Sequence, residues 1–200
     1  MLTKAAHWLV CWLFADRCDD DQRVLCEYGC ELWLYTILST FGLLILGILF
    51  GYGLEAVVII TVFYLCQTNG GGYHASTHIG CFATMVCGML AGFTMLHLPE
   101  RQFYLPAIGI VSMFILLMVP LCLHANKCYL RTDSQQLKRR SQLTTIGIVA
   151  VVVGSDIMGI KDIFYSGCVA LLLSALSRAG AVIQNKRIVV QDNKKQVKGQ

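Results

Sequence analysis

From Leu32 to Ile183 the chain is a series of apolar stretches divided by short polar breaks, and that pattern dictates its solvent. A run of about twenty apolar residues is what an α-helix needs to cross the hydrocarbon core of a bilayer. Leu32–Tyr52, Ile79–Leu98, Phe103–Leu123 and Ile163–Ile183 meet that length. Leu54–Cys66 is shorter, and the stretch from Leu143 to Ile160 is interrupted by Gly154-Ser155-Asp156. Only 14% of the 200 residues are charged and 56% are hydrophobic. Soluble domains carry about a quarter charged residues. The expected fold class is therefore an all-α membrane protein with about six transmembrane helices, preceded by an amphipathic N-terminal helical segment. A single polytopic membrane domain fills residues 1–200, with no room for a separate soluble one.

Residues 1–30 read as a helix or helix pair, with Ala6, Leu9, Val10, Leu13 and Phe14 at helical spacing. Too short and too charged to span, this segment suits the membrane interface or a position packed on its own protein. It lacks the small-residue cleavage pattern of a signal peptide, because Asp16, Asp19, Asp20 and Asp21 follow its apolar core. The ten cysteines show no disulfide-like spacing and read mostly as reduced, small apolar side chains.

Orientation follows the placement of Lys and Arg. Lys127, Arg131, Lys138, Arg139 and Arg140 lie in the connection 124–142, and Lys186, Arg187, Lys194, Lys195 and Lys198 in the tail 184–200. The opposite set of turns has only Arg101 and Lys161. Both termini, the 124–142 connection and the loop 67–81 are thus expected on the cytoplasmic side of a cell membrane. Lys138-Arg139-Arg140 reads as a topogenic signal, with steering of an acidic peptide as the sharper alternative. Asp156 and Glu55 read as helix-end residues near the outer face.

The segment Gln67–Cys81 breaks the apolar pattern with Gly70-Gly71-Gly72. Glycine costs a helix up to about 1 kcal/mol relative to Ala, so three in a row serve backbone freedom or close approach. Irregular backbone at membrane depth must be buried in protein or line a wet cavity. Ser76 or Thr77 can cap the helix that follows. His74 and Cys81 stand seven residues apart, about 10 Å along a straight helix and too far for proton transfer. If His74 sits on a loop and Cys81 in the first turns of the next helix, the two can meet, and the helix dipole favours an anionic sulfur there. A Cys–His pair is the arrangement for covalent acyl transfer. Spacing leaves other readings open. Cys81 can be packing, and His74, His78 and Cys81 can be metal or transport ligands, although the zincin pattern fails at Ala75.

Gly71-Gly72-Tyr73-His74-Ala75 followed by Cys81, after two apolar spans and before four more, closely resembles the accessory gene regulator B (AgrB) family. These are bacterial membrane cysteine endopeptidases of quorum sensing. The resemblance covers the whole chain in length and span order. It implies that His74 and Cys81 are the catalytic pair, with no cofactor and no metal. It also implies a precursor signalling peptide as substrate, short, amphipathic at its N-terminus and acidic at its C-terminus. Cleavage would leave a thioester on Cys81, which a side chain of the peptide attacks to close a thiolactone or lactone ring. A homodimer enters through the same resemblance, and no nucleic acid partner is expected. Gln67, Gly71, Gly72, Ser76 and Lys127 are candidates for binding or positioning the substrate. The chain departs from the family at Gln67, where a basic residue is common, and after Pro120, where only Asn126-Lys127 remains of a Pro–Asp and Asn-Lys-Pro pattern. Both departures bear on substrate recognition. Two rivals to the peptidase are a binding or transport protein built on His74, His78 and Cys81, and a degenerate family member kept as an assembly partner.

Overall fold

The computed structural model describes residues 2–14, 20–73, 75, 77–119 and 131–198. Seven helices occur among them, in the order α1 (Leu2–Phe14), α2 (Asp20–Leu49), α3 (Gly53–Gly70), α4 (His78–His97), α5 (Arg101–Met118), α6 (Arg131–Ile157) and α7 (Lys161–Lys198). No strand occurs among the described residues, so the chain is all-α as expected. The helices divide into two compact units, Met1–Leu46 and Gly47–Gln200. Five segments are long and apolar enough to cross a membrane: Cys26–Leu49, Gly53–Gly70, Ile79–His97, Arg101–Met118 and Lys161–Asn185. The apolar stretch of α6 from Leu143 to Ile157 is shorter, because the same helix begins with the charged turns around Lys138-Arg139-Arg140.

In the first unit, α1 and the start of α2 run antiparallel, tied by His7 to Glu27 at 2.6 Å. With 13 residues, α1 is about 20 Å long and too short to cross. The second unit is organised by α7. Its apolar window is 56% buried, against 28% or less for α3, α4 and α5, so α7 is the central helix. It packs against α3, α4, α5 and α6. Its buried face is built of small residues (Ser166, Gly167, Cys168, Ala170, Ser174, Ala175 and Ala181), which let neighbouring backbones come close where lipid gives no hydrophobic drive. A Cβ on Gly92 would stand 2.8 Å from Val169, and one on Gly167 would run into Val152. Gly88 and Gly180 are looser, at ordinary contact distance from Leu173 and Tyr73.

Three turns gather at one end of this unit. Tyr52 bonds His97 at 3.2 Å and stacks on Phe93. Arg101 lies over the Tyr165 ring at 5.1 Å and 3.9 Å from Asp162, and Lys161 pairs with Asp156 at 2.5 Å. Asp156 is thus a helix-end residue, as its sequence position suggests. The α3–α4 connection lies at the opposite end.

Four boundaries differ from those read in the sequence. The N-terminal segment does not stop at residue 30, since α2 runs unbroken from Asp20 into the first span. Gln67 to Gly70 are helical, so the irregular backbone begins at Gly71 rather than Gln67. The polar side chains there bond back within the helix, Thr68 to the Tyr64 carbonyl and Asn69 to that of Leu65, which removes their incentive to leave it. Gly154-Ser155-Asp156 does not interrupt α6, because Ser155 Oγ donates to the Val152 carbonyl at 2.7 Å. Finally, α6 starts at Arg131, inside the expected loop.

The close packing on α7 predicts opposite effects for two glycines of equal helical cost. Gly167→Ala should lower the thermal stability of the purified protein by about 1–3 kcal/mol through overpacking. Gly147→Ala, at a site with nothing within 4 Å, should raise it by about 0.5–1 kcal/mol. Thermal unfolding in detergent measures both.

Candidate active site

Each glycine of the triplet answers a separate demand. Gly71 closes α3 with φ 67° and ψ 168°, a positive φ that side chains rarely adopt, while its N–H bonds the Gln67 carbonyl at 2.9 Å. Gly70 is buried against Arg178: a Cβ there would collide with the guanidinium and stand 2.9 Å from Ser141 Oγ. Gly72 is buried beneath the Gln67 amide, which leaves no space for a side chain. That amide cannot simply swing away, because Gln67 Nε2 donates to Ser177 Oγ at 2.5 Å. Tyr73 N–H donates to both the carbonyl and the hydroxyl of Ser177, at 3.1 Å each. The segment from Gly70 to Tyr73 is therefore strapped onto α7.

Arg178 is the centre of this strap. It is 2% exposed, with Nη1 donating to the Leu116 carbonyl at 2.6 Å and Nη2 to Ser141 Oγ at 3.2 Å. In a continuing helix the Leu116 carbonyl would receive the N–H of residue 120, but that residue is Pro120 and has none. The guanidinium supplies the missing donor. One side chain thus joins the ends of α3 and α5 to the polar face of α6. Cys66, also buried, lies beside Ser174 and within the field of the same charge.

Beyond the strap, Thr77 is extended and caps α4, its hydroxyl accepting from Gly80 N–H at 3.1 Å. Capping by Thr77 is one of the two options foreseen; Ser76, the other, lies outside the described residues. Cys81 follows in the first turn, its N–H bonded to the Thr77 carbonyl at 3.0 Å, and its side chain is half-buried. Seven residues on is Gly88, which faces Leu173, and four further is Gly92, which faces Val169. Helical spacing puts Cys81 on that same α7-facing stripe. Carried two turns back, the antiparallel register brings Cys81 level with Gly180, the residue in contact with Tyr73. Cys81 therefore stands at the depth of the residue preceding His74.

His74, Ser76 and Lys127 lie outside the described residues. The structure brings together Gln67, Gly71 and Gly72 and strings Cys81 on the adjoining helix. Among the described residues, no three His, Cys, Asp or Glu side chains are placed to hold a metal ion. The Gln67 Oε1 is buried and has no hydrogen-bond partner there. Arg178, Ser177 and Ser141 were not singled out by sequence reasoning. Arg178 carried a signal, since an ionisable residue inside an apolar span is a functional candidate by default. The two serines carried none.

The family model of accessory gene regulator B (AgrB) matches residues 3–178, from α1 into the first half of α7. The chain belongs to the AgrB family. No curated protein and no solved structure matches it. The AgrB family processes autoinducing peptides in quorum sensing, and the apolar helices make this member a multi-pass membrane protein. At position 67, where the resemblance leads to the expectation of a basic residue, the side chain is the neutral Gln67, and Arg178 brings a cation to the same helix end from α7.

Gly70 and Arg178 form a testable couple. Gly70→Ala and Arg178→Met should each lower stability by about 2 kcal/mol, the first by displacing the guanidinium and the second by leaving a buried carbonyl unpaired. Because both act through one side chain, the double variant should fall short of the sum by about 0.5–3 kcal/mol. A double-mutant cycle read by thermal unfolding checks this.

Proposed function

We propose that this chain is a membrane-embedded cysteine endopeptidase that cleaves a precursor signalling peptide through a thioester on Cys81 and releases it as a cyclic autoinducing peptide. The observation that carries the reading is the break between α3 and α4. It ends one helix at Gly70 and starts the next at His78, with Cys81 in the first turn and level with Tyr73. His74 is the next residue after Tyr73, so the pair can meet across the bend without spanning two helical turns.

In this mechanism His74 takes the proton of the Cys81 thiol as the sulfur attacks the scissile carbonyl. His74 then returns the proton to the leaving amine, and the N-terminal part of the precursor remains as a thioester. A thiol or hydroxyl within that bound peptide attacks the thioester, closing the ring, and Cys81 leaves with a proton. Ring closure competes with hydrolysis, and a segment strapped between α3, α4 and α7 limits the access of water. Gly71, partly exposed, offers backbone that a peptide can approach, while Gln67 and the Gly72 it covers position that backbone from beneath. Ser76 and Lys127 belong to the same substrate-positioning set.

The break, both termini and the basic starts of α6 and the tail face the cytoplasm in this reading. Support comes from the exposed Lys138, Arg139 and Arg140 and from the gathering of the three opposite turns at one end. The chain then works as one polytopic membrane domain, in a bacterial cell membrane, with a homodimer as its assembly.

Cys81→Ala and His74→Ala should each reduce precursor cleavage by at least about a thousandfold while the protein still accumulates in the membrane. Co-expression with a short precursor peptide, amphipathic at its N-terminus and acidic at its C-terminus, followed by mass spectrometry of the product, measures this. Cleavage by the Cys81→Ala chain at the unmutated rate would remove the thioester from the mechanism.

A further inference from the structure

The first unit contains a second cysteine set among groups that activate thiols. His7 Nδ1 lies 2.6 Å from Glu27 Oε1, and its Nε2 lies 3.7 Å from Cys11 Sγ. Arg23 Nη2 donates to the same sulfur, and its Nε lies 3.6 Å from Glu27. The imidazole stands between sulfur and carboxylate, so the three do not converge on one metal ion. They follow the order of nucleophile, base and orienting acid. With its Nδ1–H held by Glu27, the ring turns its Nε2 lone pair to the thiol, and the guanidinium stands at the sulfur. The His7–Glu27–Arg23 pairing would hold the hairpin together with an alanine at position 11. Among the described residues, Cys26 and Cys30 on the same hairpin bond no histidine.

The setting of this thiol indicates what it meets. Trp8 and Trp12, 66% and 70% exposed, stack at 6.4 Å on the neighbouring face of α1. A short helix with exposed indoles seats itself at the headgroup level of a bilayer, where acyl chains and their activated donors partition. We propose that Cys11 is a self-acylating site that takes a long-chain acyl group from an acyl thioester, with His7 as base, oriented by Glu27, and Arg23 at the sulfur. His7 removes the thiol proton and Cys11 Sγ bonds to the acyl carbonyl carbon. The bond from that carbon to the donor sulfur breaks, and the departing thiolate takes the proton from His7. The products are a Cys11 thioester and a free thiol, and the new chain enters the bilayer beside Trp8 and Trp12 as a reversible anchor. This chemistry is independent of Cys81.

The test uses the full chain in vesicles of phosphatidylethanolamine and phosphatidylglycerol, with palmitoyl-coenzyme A as the probe. Trypsin isolates Cys11 as the sole cysteine between Lys4 and Arg17, and fragmentation of the peptide 24–101 separates Cys26 and Cys30 from the Cys66, Cys81 and Cys87 it also carries. Cys11 should gain a hydroxylamine-labile acyl group at least about tenfold faster than Cys26 or Cys30. His7→Ala should abolish that advantage and free imidazole should restore it, while Cys11→Ser should leave the fragment unlabelled. Equal labelling of Cys11, Cys26 and Cys30 in the unmutated chain, which needs no variant to fold, would overturn the proposal. So would unchanged labelling of Cys11 in His7→Ala.

Discussion

The carbonyl of Leu116 has lost its helical partner to Pro120, and the way that loss is made good governs the rest of the second unit. Arg178 reaches from the central helix to supply the donor. A guanidinium that is 2% exposed needs a site shaped around it, since burying charge is costly unless it is hydrogen-bonded. Ser141 provides one partner from α6, and Gly70 provides the space. One side chain therefore sets the relative height of α3, α5, α6 and α7 at the end where α4 also begins.

That arrangement explains how a glycine-rich segment can be both thin and held. Glycines alone would leave the connection free, because they lose more conformational freedom on ordering than any other residue. Here the freedom is removed from outside. Gln67 lies across Gly72 and bonds Ser177, and Ser177 in turn accepts from Tyr73 N–H. The position of that backbone is fixed by α7. Cys81 gains its depth from the same helix, through the register that pairs Gly88 with Leu173 and Gly92 with Val169. A thiol on a helix next to a strapped segment is held in place before any substrate arrives, which is what the proposed acyl transfer needs.

The sequence announced the helices and the break but not their joinery. Apolar runs of bilayer length are local signals, and so is a glycine triplet between them, so both were legible. The helical state of Gln67 to Gly70 was not, because it depends on Thr68 and Asn69 bonding back to the preceding turn, an option each also has in loops. The continuity of α6 through Gly154 and Ser155 was hidden for the same reason. The separate duties of Gly70 and Gly72 depend on Arg178 and Gln67, one of them more than a hundred residues away in sequence, and no local pattern encodes such contacts. Arg178 itself could have been picked out as a charge in an apolar span. Its partner Ser141 could not, lying at the edge of a basic run that reads as a topogenic signal.

The position of that charge also bears on Gln67. A basic residue there would share one turn of α3 with Gly70, and so would face Arg178 across a distance of a few ångströms in a poorly solvated interior. Two like charges so placed repel by several kcal/mol at an effective dielectric of about 20. The site therefore accommodates one buried cation. With that cation supplied by α7, position 67 carries a neutral amide, whose donor side braces Ser177 and whose acceptor oxygen is buried with no hydrogen-bond partner among the described residues. The departure at Gln67 and the presence of Arg178 are then two aspects of one choice about where the charge at the break resides.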